Sequence, residues 1–437
     1  PVSRRRVRIP LKTLWHYLRT RRLRFRSREK LLAWQQKKLR QCARKTLSQS
    51  PWFSACATLP FSQWPQMNKA QMMANFDQMN TAGLKKATLL ACAQRAERDR
   101  YFTPQIEGFS VGLSSGTSGP RGIFVVSPHE QQVWAGGMLA KMLPQGLRRG
   151  ERVAMFLRAD NNLYHSVNNR WLSLEFFDLF SSFHPQMLRL EKFTPTIIVA
   201  PAQVLRQLAL AVLNEELRLN VSKVISVAEV LTAQDRQLLE QVFPQVGEVY
   251  QATEGFLAAT CEQGTLHLNE EFIHIEPEWI DDNRFIPVIT DFTRHTQPIV
   301  RYRLDDVLVK RGQPCGCGRV TMSLERIEGR CDDGLALPGN DAKPKTIFAD
   351  VCNRVIANTL PLTADYRLTQ RGSVSLLLQG ECSQAELEEC KTQLERHFSL
   401  QAVDVSQLRW TLQAGDIPAD FMHKKRRIMR REDAAHG

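Results

Sequence analysis

The 437-residue chain has no apolar run of the roughly 18 residues that a membrane-crossing helix needs. No apolar segment follows its basic first residues, so a secretory signal is not expected. Internal repeats and low-complexity linkers are missing as well. Ten cysteines are too few for a disulfide scaffold. They read as thiols or metal ligands in a reducing, cytoplasmic compartment. Acid is nearly missing from one end: residues 1–50 hold 17 Lys/Arg and a single acid, Glu29. Collagen-like, mucin-like, largely disordered and membrane-spanning classes are thereby excluded.

What is present is an ordinary globular composition, 43% hydrophobic and 24% charged, long enough for more than one domain. The net charge of +14 is unevenly placed. Residues 1–50 carry +16 and residues 421–437 carry +4, which leaves −6 on 51–420. A mildly acidic body with a basic arm and a basic tail does not predict specific nucleic-acid binding. The arm is expected to touch an anionic membrane surface or an acidic partner, which would make a cytoplasmic protein peripheral to the membrane.

Leu11, Leu14, Trp15, Leu18 and Phe25 recur at helical spacing among arginines, either as an amphipathic surface helix or as a first helix packed on the body. A second helix is predicted from the cap Ser27 to about Ser48, with Leu31, Leu32, Leu39 and Cys42 inward, stopped by Pro51. From about 109, short apolar strands alternate with helices: Arg152–Leu157, Thr196–Val199, Lys223–Val227 and Glu248–Tyr250, with helices over Pro201–Leu217 and Thr232–Phe243. That alternation predicts an α/β fold with a mostly parallel, doubly wound sheet. After 264 the pattern turns to β, at His267–Ile275, Phe285–Asp291 and Val300–Tyr302. A small α+β unit follows: strands Tyr366–Gln370, Ser373–Gln379 and Gln407–Leu412, with a helix Ser383–Phe398. The expected division is 1–50, a basic helical arm; 51–330, a large domain; and 331–437, a small domain.

Five segments concentrate chemistry. Val111-Gly-Leu-Ser-Ser-Gly-Thr-Ser-Gly-Pro-Arg-Gly122 packs glycines and hydroxyls into one loop. Such a loop can turn backbone N–H groups and hydroxyls onto phosphate oxygens, and it lacks the Gly-Lys-Ser/Thr ending of a Walker loop. The others are Tyr250-Gln-Ala-Thr-Glu254, Pro298-Ile-Val-Arg-Tyr-Arg-Leu-Asp-Asp306 and Gly329-Arg-Cys-Asp-Asp333, with the basic run Met422-His-Lys-Lys-Arg-Arg-Ile428 near the end. Separately, Cys261, His267, Cys315 and Cys317 offer three thiolates and an imidazole. They read either as a closed, structural Zn²⁺ site or as buried thiols and a polar core histidine.

These segments, in this order, resemble the adenylate-forming (ANL) superfamily of acyl-CoA synthetases, peptide-synthetase adenylation domains and luciferases. The branch they look most like is that of phenylacetate–CoA ligase and the coenzyme F390 synthetase-like enzymes, which also have a similar Cys/His arrangement. Val227-Ala-Glu-Val-Leu231 adds to the latter likeness. The resemblance implies an ANL-type fold with a large AMP-binding domain and a mobile lid. In the glycine loop it assigns Ser114, Ser115, Gly116, Thr117, Ser118, Gly119 and Arg121 to the nucleotide phosphates. Arg121 stands where the family has lysine, and the loop is one residue shorter before its proline. Tyr250 is implied at the adenine face, Thr253 at phosphate, Glu254 at Mg²⁺ and Asp306 at the ribose hydroxyls. Arg330 would reach ribose or phosphate, and Asp332 would be the hinge pivot. Lys424 is the implied catalytic lysine, and a one-residue shift would nominate Lys425.

The implied reaction joins ATP and a carboxylic acid, aromatic by the branch, into acyl-AMP and pyrophosphate. The acyl group then passes to CoA, an amine or a carrier-protein thiol. A reading of another class is a non-catalytic nucleotide- or polyanion-binding protein.

Overall fold

The computed structural model describes residues 10–431 except 100, 102–103, 115–120, 144–145, 148–149, 158–167, 170–171, 180–181, 331–333 and 422. Helix α1 (Leu11–Arg22) is followed by α2 (Arg28–Lys45), whose cap is Ser27, its side chain accepting from the Lys30 N–H. The α-helix stops at Lys45, and a 3₁₀ turn over Leu47–Gln49 carries the chain to Pro51. Leu31, Leu39 and Cys42 are buried as expected, but Leu32 is 41% exposed. One helical step of about 100° from Leu31 turns it out of the apolar stripe. The arm is docked on the body: Arg28 donates to Glu270 (2.7 Å), Trp34 to the Glu271 carbonyl (3.1 Å) and Gln35 to the Glu270 carbonyl (2.9 Å).

Helices α3 (Lys69–Met79) and α4 (Lys86–Arg98) precede a three-stranded antiparallel sheet of Gln105–Ile106, Phe109–Leu113 and Ile123–Val126. Leu113 pairs with Ile123, so the glycine-rich segment is the connection of a hairpin. Helix α5 (Pro128–Met142) starts from a capping box of Ser127 and Glu130, with proline in its first turn.

The large sheet has thirteen strands and two characters. Leu172–Asp178, Glu151–Leu157, Ile197–Ala200, Lys223–Ser226 and Val246–Ala252 pair in parallel, with helices Ala202–Leu213 and Ala233–Val242 between successive strands. From Gly255 the same sheet continues antiparallel through Leu266–Leu268, Ser323–Arg330, Asp306–Lys310, Arg284–Asp291 and Ile273–Trp279. The parallel-paired strands from 151 to 252 thus form the expected parallel part, and the β-rich part after it extends the same sheet, which is mixed as a whole. The expected strand His267–Ile275 is two strands, broken where the Asn269 N–H turns to the Leu257 carbonyl (2.8 Å) and its side chain to the Phe256 carbonyl (3.2 Å). The expected strand Val300–Tyr302 is reduced to Tyr302–Arg303.

After 334 the chain builds a separate core, from Leu335 to Ile428. A hairpin (Leu335–Pro338, Pro344–Ile347) leads to helix Ala349–Thr359 and a four-stranded sheet. Arg409–Ala414, Ser375–Gly380, Tyr366–Arg371 and Ile428–Arg431 lie in that order, beside helix Gln384–Leu400. The basic tail is thus not solvated throughout: Ile428–Arg431 is an edge strand parallel to Tyr366–Arg371.

Candidate active site

Residues 250–254 lie where the sheet changes from parallel to antiparallel, the kind of position where open α/β sheets receive ligands. Tyr250, near the end of its strand, donates its hydroxyl to Asp306 Oδ2 at 2.6 Å. Asp306 is also the direct cross-strand partner of Arg330. Burial pushes the Asp306 carboxyl above the usual range, while the Tyr250 hydrogen bond and the Arg330 and Lys424 charges pull it back. Burial, reinforced by the Asp306 charge, raises the Tyr250 phenol well above its ordinary value, so it stays a donor.

Thr253 donates its hydroxyl to Glu254 Oε2 (2.9 Å), and the Tyr302 hydroxyl also bonds this carboxylate. Arg294 holds the turn through the Thr253 carbonyl (2.8 Å). The next residue must be glycine: a Cβ on Gly255 would lie 2.7 Å from Asp291 Oδ2. Asp291 is 2% exposed. Burial pushes its carboxyl up to about 6, against the pull of two hydrogen bonds from Thr293.

At the mouth of the glycine loop, Ser114 N–H donates to the Gly122 carbonyl (2.7 Å) and the Gly122 N–H to Ser114 Oγ (2.8 Å). Ser115, Gly116, Thr117, Ser118 and Gly119 lie outside the described residues, as does Asp332. Arg121 departs from the expectation. Its guanidinium forms a bidentate pair with Glu97 on α4 (2.6 and 2.5 Å) and bonds the Ser114 carbonyl. The cation that the resemblance assigns to phosphate is paired with Glu97, and its charge is still felt at Lys69.

A different cation faces the cleft. Lys69, the first residue of α3, lines it with Gly122, Thr253, Glu254 and Tyr302. Its position is set by main-chain pairing of Met67 with both neighbours of Tyr302: Met67 N–H to the Arg301 carbonyl (2.9 Å) and Arg303 N–H to the Met67 carbonyl (2.8 Å). Burial and the Arg330 charge lower the Lys69 ammonium's pKa, and Glu254 and Asp305 oppose them. No motif marks this residue; the one local sign is the Asn68–Gln71 capping box that starts its helix.

On the small domain the two candidate lysines differ. Lys425 is tied to Asp365 of the same domain at 2.6 Å and is largely buried. The charge of Lys424 is felt at Asp306, as the least of the influences on that carboxyl. Arg427 crosses the domain junction to Asp235 (2.7 and 2.9 Å) and also bonds Asp365 (3.2 Å). Arg206, fully buried, bonds Asp235 (3.0 Å) and the Thr363 carbonyl (2.6 Å). These junction residues carry no recognisable motif.

Away from the cleft, the ligand atoms of Cys261, His267, Cys315 and Cys317 all lie within 4.8 Å of one another. Cys261 and Cys315 sulfurs are 3.7 Å apart, and Cys317 Sγ is 3.4 Å from His267 Nε2. His267 Nδ1 lies 3.2 Å from the Thr321 carbonyl, which leaves Nε2 for the cluster.

No family model matches the chain, and no curated protein does. Solved structures match over nearly its whole length. 2-Hydroxyisobutyryl-CoA ligase in the postadenylation state, in complex with 2-HIB-AMP, has a TM-score of 0.68 at 17% identity, covering 93% of this chain and 89% of that one. The same ligase with 2-HIB-AMP and CoA, in the thioesterification state, has a TM-score of 0.54 at 18% identity, covering 93% and 90%. The acyl acid amido synthetase GH3.15 has a TM-score of 0.58 at 11% identity, covering 87% and 86%. The chain has the fold of these adenylate-forming ligases, a large α/β domain followed by a small α+β domain.

Proposed function

We propose that this chain activates a carboxylic acid with ATP as acyl-AMP, releasing pyrophosphate, and passes the acyl group to an acceptor, CoA before an amine or a carrier-protein thiol. The observation that carries the reading is the convergence of Tyr250 and the turn residue Glu254 with Asp306 and Arg330 of two other strands, where the Lys424 charge of the small domain is also felt. A carboxylate oxygen attacks the α-phosphorus, and the bond to the pyrophosphate oxygen breaks. Two anions must meet, so the site has to supply positive charge in advance.

Asp306 suits the ribose diol because a carboxylate accepts both hydroxyl hydrogens, and Tyr250 takes one of its lone pairs while leaving others free. In this reading Tyr250 flanks the adenine, and Arg330 and Lys424 face the phosphates. Thr253 and the glycine loop bind phosphate oxygens. Glu254 is the carboxylate that would hold Mg²⁺ with those oxygens, and the metal would draw charge from the departing pyrophosphate. Lys69 supplies the cation that Arg121, bound to Glu97, does not. The better superposition on the postadenylation form than on the thioesterification form supports a lid in the acyl-AMP-forming orientation. The phenylacetate-like branch and an aromatic acid rest on the motif resemblance.

The Cys261, His267, Cys315 and Cys317 cluster fits a structural Zn²⁺: four soft or borderline donors fill a tetrahedron and leave no position for water. It would join the hairpin turn around 261–267 to the 315–317 loop. ATP–pyrophosphate exchange with a panel of aryl and alkyl acids tests the reading. Exchange that depends on one acid supports it and names the substrate class. Nucleotide binding with no acid-dependent exchange would favour a non-catalytic binding protein.

A further inference from the structure

Helix α1 is turned the wrong way for water. Its buried residues are Thr13, His16 and Tyr17, whereas Leu11, Trp15 and Leu18 are 83%, 56% and 42% exposed. The cause is a close crossing with α5. A Cβ on Gly136 would lie 2.6 Å from His16 Cβ and 2.8 Å from the Thr13 carbonyl oxygen, so the two helices meet almost backbone to backbone on that side. Tyr17 pins the orientation from within, its hydroxyl accepting from the Leu147 N–H at 3.2 Å. With that face fixed, positions 11, 15, 18 and 22 fall on the opposite one, at spacings of four, three and four.

The rim of this face is cationic. Lys12, Arg19 and Arg22 flank the apolar residues, and Arg19 lies over the Trp15 ring at 5.2 Å. No acid precedes Glu29 in the sequence, while Arg4, Arg5, Arg6 and Arg8 come just before the helix. An apolar centre with an aromatic ring inside a purely basic border matches a membrane interface, where rings and aliphatic chains enter the headgroup–acyl boundary and arginines meet anionic headgroups. A nucleic acid or an acidic polypeptide would reward the border and leave the apolar centre in water.

We propose that the outer face of α1 docks on an anionic lipid bilayer, with Leu11, Trp15 and Leu18 inserted at the interface. The inference is independent of acyl activation. Docking is peripheral, since no helix among the described residues is long and apolar enough to cross a membrane.

Co-sedimentation of the full chain with phosphatidylcholine vesicles, with and without phosphatidylglycerol, tests it. Binding is expected only to the anionic vesicles. The triple substitution Leu11→Ser, Trp15→Ser, Leu18→Ser should weaken it on the order of tenfold or more with every arginine still present. The circular dichroism spectrum should stay unchanged, because all three side chains point away from the body. Tryptophan emission should shift to the blue on adding anionic vesicles, and Trp15→Phe should abolish that shift. Equal binding to both vesicle types overturns the proposal. So does unaltered binding by the triple variant, which would make the arm a general polyanion surface that duplex DNA should then occupy equally well. Protection of Trp15 from iodide quenching without lipid also overturns it, since residues 1–9 would then cover the face.

Discussion

The Tyr250 hydroxyl sits 2.6 Å from Asp306 Oδ2 and joins two strands of the large sheet that are 56 positions apart in the chain. The bond stabilises the ionised carboxylate, which is the form that accepts hydrogen bonds from a ribose diol. Burial works against that form. In the proposed ribose role of Asp306, the strength of nucleotide binding would depend on a balance that a single hydroxyl can tip.

Tyr250→Phe removes one stabiliser of the Asp306 charge, so the carboxyl pKa rises further. ATP binding needs the charged form and is lost as pH falls through that pKa. The acid limb of a plot of KM for ATP against pH should thus move to higher pH in Tyr250→Phe. Asp306→Asn should raise KM for ATP about 10- to 100-fold at neutral pH, on the scale of one or two charge-assisted hydrogen bonds.

The two lysines should separate cleanly. Lys424→Ala is expected to slow acyl-AMP formation on the order of 10²–10³-fold with little change in the KM for the acid. Acyl-AMP supplied to that variant should still react with the acceptor. Lys425→Ala strips Asp365 of a buried partner and should lower the melting temperature instead. Normal adenylation in Lys424→Ala would remove that residue from the chemistry.

Lys69 and Arg121 make opposite predictions to the motif. Lys69→Met should raise the KM for pyrophosphate in exchange about tenfold or more, and Lys69→Arg should restore part of it. Arg121→Met should cost less, because its guanidinium already belongs to Glu97. The reverse ranking would return the phosphate role to Arg121.

Metal analysis of protein purified without chelator should give about one zinc per chain. Cys317→Ser should lose the metal and lower the melting temperature, since binding and folding are coupled. Full stability without zinc would assign the cluster to ordinary core groups.

Asp291 gives the fold a pH signature. Its folded pKa, about 6, lies above the ordinary aspartate value of 3.8. The stability tied to its neutral form is complete below the unfolded pKa and is lost as pH rises through about 6. Asp291→Asn removes this slope. Its unfolding free energy from urea titration, relative to the parent, should improve between about pH 4 and pH 7, by up to roughly 2–3 kcal/mol.

Much of this was readable because it is local. Strand and helix alternate visibly from 152 to 250, and each motif lies within one short segment, so Tyr250, Glu254, Asp306 and Lys424 could be named from their neighbours. Lys69 could not, because a two-residue pairing of Met67 with the distant Arg301 and Arg303 puts it at the cleft. The pairing of Arg121 was hidden for the same reason: Glu97, its partner, is on a helix no motif mentions. In α1 the hydrophobic spacing was legible but its direction was not. The direction is decided at Gly136, where side-chain volume matters more than polarity.

Arg427 lies three residues beyond Lys424 on one stretch of chain, and it is held between Asp235 of the large domain and Asp365 of its own. Any rotation that withdraws Lys424 must also part a buried guanidinium from two carboxylates and leave Asp235 to Arg206 and the Thr232 hydroxyl. The position of Lys424 and this ion-pair clasp between the two cores are thus one mechanical unit. Such a clasp is shielded from salt but not from heat. On the proposed function, the handover between the two halves of a turnover would be an activated event with its own clock, set by how fast buried charges come apart and separate from how fast bonds are made.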